Sequence, residues 1–389
     1  MSHNIPTLCS HEQCTSCMVC YNACPFDAIS FVETELSVQV PQIDSEKCRH
    51  CALCEKVCPV LNVPKLNYPK RCIALYAKLD MDRQTCASGG AATTFSRYFI
   101  KNGGVVYGAT ANGGYPKFIR VSDIQDLELL KGSKYVYCVP ESVYKFVKQD
   151  LQANKQVLFI GLPCNVAALE NFLKKDYDNL FTIDLICHGA PPFAYLREHL
   201  RSKRVSIKDV DNITFRGELD FYTTAYDKNR KILYKQSQYE DEYFSAFMRG
   251  YIFRPSCYQC LFAKSERISD ITVGDFWGIT KEALNNYTGK ISVALLNTGK
   301  GVKLFDLTSE LFVWEQRNIE EAINGNQQLS KPSSPGSKQK RELFKDTYCK
   351  NKSVTEAFKI CGIKKFVFKN KVKRYVLVIF NKLTKNLLK

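Results

Sequence analysis

Eight cysteines in two copies of one spacing constrain this chain more than any other feature. Cys14, Cys17, Cys20 and Cys24 follow C-x2-C-x2-C-x3-C, and Pro25 comes next. Cys48, Cys51, Cys54 and Cys58 repeat the spacing, with Pro59 after them. Three cysteines two residues apart can wrap a short loop around one centre, while the fourth leaves along the next turn. The proline ends the run and fixes the backbone beside the sulfur. No basic segment followed by an apolar stretch opens the chain, and no run of about 20 apolar residues occurs, so the reading is a cytoplasmic chain without signal peptide or membrane span. Thiols in that compartment stay reduced, so 18 cysteines in 389 residues point to metal and not to disulfides.

The run is that of bacterial two-cluster ferredoxins, in which the fourth cysteine ligates the other cluster. The expected ligand sets are therefore Cys14, Cys17, Cys20 and Cys58 for one 4Fe–4S cluster, and Cys48, Cys51, Cys54 and Cys24 for the second. Zinc is the competing reading, but zinc sites usually use two C-x2-C pairs across a longer spacer. ISFVET at 29–34 and LSVQVP at 36–41 alternate well enough for a hairpin between the runs. Cys9 lies outside both patterns and receives no role. Two clusters in series carry single electrons and perform no organic chemistry themselves.

Pro59, Pro64 and Pro69 mark a linker, and the body beyond it alternates strand and helix patterns. Strands are expected at 72–79, 105–111, 116–121, 157–161 and 180–187, and in ITFRG, DITVGDF and ISVALLN. Helices are expected at 88–104 and 141–154, through CNVAALENFLKK, and in PPFAYLREHLRSKR. The fold class is therefore α/β or α+β, a small ferredoxin-like N-terminal domain followed by a larger mixed-sheet domain. The expected boundaries are 1–66 for the first, 69–330 for the second and 331–389 for a basic linker and tail. Neither G-x-G-x-x-G nor G-x-x-x-x-G-K-[ST] occurs, so the usual dinucleotide and P-loop fingerprints are missing.

Several short stretches of the body invite chemistry. Ser88, Gly89 and Gly90 open a helix, and free helix N–H groups can hold a phosphate; a tight turn with a serine cap satisfies the same chemistry. Lys134 in Gly132-Ser133-Lys134 offers a cation on a turn, or simply a solvated loop. Asp275, Phe276, Trp277 and Gly278 follow a strand, where the glycine lets backbone approach a planar ligand; a core tryptophan turn is the alternative. Cys164 in GLPC and Cys187 in DLICHG stand at strand ends, and Cys257 and Cys260 form C-x2-C. Four such thiols can hold a third 4Fe–4S cluster; two structural cysteines plus an unrelated pair is the competing reading. His188 adjoins Cys187, but neighbours at a strand end point apart, which argues against a cysteine–histidine nucleophile. Cys72, Cys86, Cys138, Cys349 and Cys361 read as buried apolar residues or tail thiols. No catalytic residue is identified.

Taken in order, SGGAATTF, KGSKYVYC, GLPCNVAAL, DLICHGAPP and RPSCYQCLFAKSERISDITVGDFWG resemble the family of coenzyme F420 hydrogenase/dehydrogenase beta subunits, over roughly residues 69–298. The resemblance implies FAD and a 4Fe–4S cluster in the body, the larger domain being flavin-binding. Cys164, Cys187, Cys257 and Cys260 are then the cluster ligands, and Ser88, Gly89, Gly90, Lys134 and the Asp275–Gly278 loop contact FAD. It implies an iron–sulfur flavoprotein oxidoreductase that exchanges electrons with a partner protein or a two-electron substrate such as a deazaflavin. A non-catalytic electron carrier serving a partner enzyme, or a scaffold recruited to a membrane by its basic tail, is the alternative. Ferredoxin-fused forms also resemble proteins of bacterial surface-polysaccharide gene sets, where the chemistry would fall on a glycan precursor or its lipid carrier.

Charge is concentrated at one end. The chain carries a net +16, of which residues 331–389 supply +14, from 17 Lys and Arg against three acidic residues. SKPSSPGS at 330–337 reads as a linker, and the cationic and apolar clusters beyond it read as an amphipathic helix. An anionic membrane face suits such a helix, which would place the protein on the inner face of the cell membrane. Nucleic acid is the weaker competitor, and a solvated helix packed on the body is the plain alternative.

Overall fold

A computed structural model describes residues 5–217, 220–280 and 282–387, with side-chain surroundings to residue 376. The far part of the expected amphipathic tail, 377–389, therefore lies outside the described side chains. Thirteen strands are described: β1 (Ile29–Glu33), β2 (Gln39–Ile43), β3 (Arg71–Ala77), β4 (Val105–Thr110), β5 (Lys117–Val121), β6 (Val157–Gly161), β7 (Leu180–Leu185), β8 (Asn212–Arg216), β9 (Phe221–Tyr226), β10 (Ile232–Ser237), β11 (Ile271–Asp275), β12 (Ser292–Leu296) and β13 (Phe312–Arg317). The α-helices are α1 (Val19–Ala23), α2 (Leu53–Lys56), α3 (Asp80–Gln84), α4 (Ala91–Lys101), α5 (Val143–Gln152), α6 (Pro163–Leu173), α7 (Phe193–Ser202), α8 (Glu242–Met248), the short turn α9 (Ala283–Asn286), α10 (Gly299–Thr308), α11 (Ile319–Gly325), α12 (Lys338–Asn351), α13 (Val354–Ile360) and α14 (Ile363–Leu387).

The body is built on an eight-stranded mixed sheet in the order β13-β3-β12-β11-β7-β6-β4-β5. Its centre, β11-β7-β6-β4, is parallel. Both β3 and β11 run antiparallel to β12, so they run parallel to each other. The carboxyl ends of β3, β4, β6, β7 and β11 therefore share one edge, the edge at which α/β sheets collect their ligands. Apolar side chains leave β6 in alternation. Val157 and Phe159 face a core with α5 and α6, while Leu158 and Ile160 face one with α4 and α10. Burial on both faces explains why these strands read as nearly continuous apolar runs. The expected mixed sheet is what the structure contains.

Two parts differ from expectation. The ferredoxin hairpin pairs Ile29 with Ile43, so its second strand starts at Gln39 and not at Leu36. The cause is a wider turn: the Thr34 amide donates to the Val38 carbonyl, and Ser37 sits at φ 54°. The basic segment after residue 331 is also no free tail over its first half. Phe344, Tyr348, Val354, Phe358, Ile363 and Val367 are buried in one core with β8, α7 and α8. Among the described residues, no helix is long and apolar enough to cross a membrane.

The N-terminal module is seated firmly on the body. Tyr137 Oη donates to the Ser16 carbonyl at 2.8 Å, and Tyr195 Oη to that of Leu36 at 2.9 Å. Asn22 Nδ2 donates to the Glu141 carbonyl at 2.7 Å, and Ser37 and Tyr348 share a hydroxyl hydrogen bond of 2.9 Å. These bonds spread over the segment before α5, α7 and α12 and fix the module's orientation.

Candidate metal centres and the adjoining sheet edge

The two cysteine loops share a backbone device. Ser16 and Met18 in the first, and His50 and Ala52 in the second, all have φ between 53° and 60°. Such left-handed conformations cost an L-residue roughly 1–2 kcal/mol each. What they achieve is to turn amides toward sulfur. The Ser16 N–H reaches Cys14 Sγ at 3.4 Å and the His50 N–H reaches Cys48 Sγ at 3.5 Å. The amides of Val19, Tyr21 and Glu55 serve Cys17, Cys20 and Cys54 in the same way. Met18 and Ala52 then stand at the starts of α1 and α2, which carry the chain toward Cys24 and Cys58.

Those helices carry each fourth cysteine to the other loop's cavity. Cys14, Cys17, Cys20 and Cys58 line one cavity of about 330 Å³. Cys24, Cys48, Cys51 and Cys54 line a second of about 320 Å³. The thiols stand around a space rather than converging on a point. Among the described residues no three His, Cys, Asp or Glu side chains are grouped to hold a single ion. Apolar walls, inward amides and four thiols per cavity fit cubane clusters. Burial pushes Cys17 up to about 12 and Cys54 up to about 11, so loading a cluster must displace protons. The first cavity is deep, its four cysteines all buried, whereas Cys51 of the second is exposed.

Cys9, given no role by its spacing, belongs to the first cavity. Its thiol is hydrogen-bonded to Cys14 and Cys58 and is itself pushed up chiefly by them. The same contact, ahead of burial, holds Cys58 down at about 6. No spacing signal could have placed Cys9 there.

The other four thiols also meet. Cys164 lies in the first turn of α6 after β6, and Cys187 follows β7. Cys257 falls in the turn Pro255–Gln259, with Cys260 just beyond it. Burial raises Cys187, and Cys257, Cys164 and Cys260 raise it further. Burial likewise pushes Cys164 to about 12, with Cys260, Cys17 and Cys257 adding to the push. Cys17 of the first cavity thus neighbours Cys164, and both lie in one apolar cluster. Again amides point at sulfur: Gly189 N–H, at φ 116°, reaches Cys187 Sγ at 3.3 Å, and the Phe262 and Ala263 amides serve Cys260.

Arg254 joins the two regions. It is 2% exposed. Its Nε donates to the Ala190 carbonyl at 3.1 Å and its Nη1 to that of Thr15. The guanidinium lies 3.7 Å from the Tyr137 ring centroid. Burial works against its charge, but Cys257, Tyr137, Cys164 and Cys187 outweigh it and hold the group protonated. Among the described residues it has no carboxylate partner.

The flavin candidates gather on the same sheet edge. Ser88 Oγ and the Phe276 amide both donate to the Ile291 carbonyl, at 3.1 and 3.0 Å. A Cβ on Gly89 would stand 2.7 Å from the Leu75 carbonyl oxygen, and one on Gly90, at φ 90°, 2.7 Å from that of Asp82. Close chain packing therefore accounts for both glycines, whatever else they touch. Asp275 pairs with Arg216 at 2.5 Å, and Arg216 Nε donates to Tyr135 Oη at 2.9 Å. Phe276 is buried, Trp277 is 45% exposed, and Gly278 turns at φ 77°. Lys134, next to Tyr135, donates to the Leu130 and Lys131 carbonyls at 2.8 Å, and burial lowers it to about 8. Lys290 was missed by sequence reasoning. It donates to the Cys86 and Gly217 carbonyls at 3.2 and 2.9 Å, tying three loops together. Burial lowers His188, with Arg216 adding to the push and Asp275 opposing it.

Comparison with known proteins agrees with this anatomy. Residues 13–62 match the 4Fe–4S dicluster domain, and residues 154–322 match the family described as the C terminus of the coenzyme F420 hydrogenase/dehydrogenase beta subunit. The chain is 19% identical over 237 residues to an F(420)H(2) dehydrogenase subunit of Methanosarcina mazei, covering 57% of this chain and 68% of that protein. It is 27% identical over 189 residues to the coenzyme F420-dependent sulfite reductase of Methanocaldococcus jannaschii, covering 46% of this chain but only 28% of that protein. A chain of the F420-reducing nickel–iron hydrogenase complex from Methanosarcina barkeri aligns with a TM-score of 0.45 and 15% identity, over 68% of this chain and 92% of that one. The chain thus joins a segment that matches the 4Fe–4S dicluster domain to a body that matches, over residues 154–322, the C-terminal model of the coenzyme F420 hydrogenase/dehydrogenase beta subunits.

Proposed function

We propose that this protein is an iron–sulfur flavoprotein oxidoreductase that passes electrons between 4Fe–4S clusters and a two-electron substrate through FAD. The observation that carries the reading is the adjacency of Cys17 and Cys164, which sets the third thiol group against the first ferredoxin cavity. Cys14, Cys17, Cys20 and Cys58 hold one cluster, Cys24, Cys48, Cys51 and Cys54 the second, and Cys164, Cys187, Cys257 and Cys260 a third. A flavin accepts two electrons together and releases them singly, which is what coupling a hydride donor to clusters requires. For it we assign the sheet edge around Ser88, Gly89, Gly90, Lys134 and Asp275–Gly278. There the half-buried Lys134 offers a cation toward a diphosphate, and Trp277 an open aromatic face toward a planar ring. Arg216 holds Asp275, and burial keeps His188 neutral, so the pocket presents a fixed charge pattern. The substrates to try are a deazaflavin such as coenzyme F420 and the glycan precursors of surface-polysaccharide synthesis.

A second reading makes the chain a non-catalytic carrier for a partner enzyme. It is favoured by the exposed Cys51 and by the relative that is named as a dehydrogenase subunit. An anaerobic iron, sulfide and flavin count on purified protein, followed by turnover with an artificial donor, separates the two. About twelve irons with one FAD and turnover support the flavoenzyme. About eight irons without flavin overturn it and leave the carrier reading.

A further inference from the structure

We infer that the outward face of α14 is a docking surface for an anionic lipid bilayer. The inference is independent of the redox assignment. One side of this helix is already occupied by the body. Ile363 and Val367 are buried, and the Arg249 guanidinium lies 3.8 Å from the Phe366 ring centroid. Asn370 Nδ2 donates to the Tyr239 carbonyl at 3.2 Å, and Arg374 pairs with Glu240 at 3.2 Å. Positions 363, 366, 367, 370 and 374 form one stripe at helical spacing, which fixes the rotation of the helix on the protein.

With that rotation fixed, the opposite stripe must face outward. It consists of Phe368, Val372, Tyr375 and Val376, spaced i, i+4, i+7 and i+8, and they are 66%, 47%, 70% and 57% exposed. Four large apolar side chains in one row on solvent are unusual for a surface that meets only water. At about 100° per residue, Lys364 and Lys371 fall along one flank of the row and Lys369 and Lys373 along the other. None of these four lysines has an acidic partner among the described residues, and α14 contains no Asp or Glu in its sequence. An apolar row bordered by lysines matches the interfacial helix, whose apolar side enters the acyl boundary while the cations meet anionic headgroups. Nucleic acid would use the lysines but gives no reason for the row between them.

The test uses the full-length, cluster-loaded protein and sedimentation with phosphatidylcholine vesicles, with and without phosphatidylglycerol. The protein should sediment with the anionic vesicles only, and added salt should release part of it. Val372→Asp with Tyr375→Asp should abolish sedimentation. Lys369→Glu with Lys373→Glu should weaken it by about 30-fold or more, at roughly fivefold per lysine near the membrane. Iron content and elution volume report folding, and all four positions face away from the body. Wild-type protein that stays in the supernatant overturns the proposal, as does an aspartate variant that binds like wild type. A wild-type dimer that the aspartate variant converts to monomer, with vesicle binding unchanged, also overturns it, by assigning the face to a second copy of the chain.

Discussion

Replacing Arg254 with Met should lower the reduction potentials of the clusters proposed on both sides of it. The side chain is buried, it bridges the Thr15 loop of the first cavity to the Ala190 loop of the third, and no carboxylate among the described residues neutralises it. A nearby cation stabilises the extra negative charge of a reduced cluster, so its removal makes reduction harder. A unit charge acting over ~7 Å at an effective dielectric of ~20 is worth ~2 kcal/mol. For one electron that is a shift on the order of 100 mV, to more negative potential. The Thr15 and Ala190 carbonyls also lose a donor, at a cost of roughly 1–3 kcal/mol each where they stay buried. Arg254→Lys separates the two effects, since it keeps the charge and gives up the bidentate bridge. Potentiometric titration followed by electron paramagnetic resonance, with iron and sulfide content alongside, reads both. The methionine variant should keep its iron and show shifted midpoints, and the lysine variant should stay near wild type. Midpoints within ~20 mV of wild type in the methionine variant, at full iron content, would refute the electrostatic argument, because the shift expected from one lost charge is several times larger.

Three further outcomes follow from the same geometry. Cys257→Ser with Cys260→Ser should reduce iron from about twelve to about eight atoms, with the ferredoxin signals intact; unchanged iron would dismiss the third site. Burial, then Asp270, Asp176 and Asp184, pushes the Glu170 carboxyl up to about 8 from an ordinary 4.5. Between those values the folded protein holds a proton that the unfolded chain releases, so this contribution to stability is complete below pH 4.5 and is lost as pH rises through about 8. Glu170→Gln should therefore flatten the fall of the denaturation midpoint between pH 4.5 and about 8, and parallel wild-type and variant profiles would disprove the assignment. Asp184→Asn breaks a fully buried pair with Arg267 (3.0 Å) and should cost roughly 3–5 kcal/mol in denaturant unfolding; a loss under about 1 kcal/mol would show the pair to be dispensable.

The parts of this fold that can be read from sequence are those with one dominant physical cause. The strands β3, β4, β6, β7 and β12 carry apolar side chains on both faces, and their runs are plain. The small sheet β8-β9-β10 shows in the sequence only at ITFRG, because β10 is mostly exposed or half-buried and its side chains alternate weakly. The helix α12 reads as linker and tail because only Arg341, Phe344 and Tyr348 of its fourteen residues are buried. Its attachment depends on Tyr348, which reaches Glu198 at 3.0 Å and Ser37, contacts far apart in the chain. At the candidate metal centres the placement of Cys24 and Cys58 beside the opposite run is what the spacing leads one to expect. Cys9 and Arg254 are not legible, since each reaches its site through tertiary packing and not through a repeat.

The arrangement of the centres bears on the direction from which electrons arrive. The cavity of Cys24, Cys48, Cys51 and Cys54 meets solvent at Cys51, and the cavity of Cys14, Cys17, Cys20 and Cys58 lies behind it with every thiol buried. Cys17 then neighbours Cys164 of the third group, and Cys187 of that group is followed directly by His188, which faces Asp275 at the sheet edge. Exposure falls from the Cys51 cavity to the Cys17 cavity, and Cys17 neighbours Cys164 of the third thiol group. Under the proposed function, a donor or acceptor protein would exchange electrons most directly at the Cys51 end, and the two-electron substrate would react at the Asp275 end. The hydrogen bonds that seat the N-terminal module on the body argue against a domain swinging on the Pro59–Pro69 linker. Under the proposed function the module would then serve as the outer half of one conducting path.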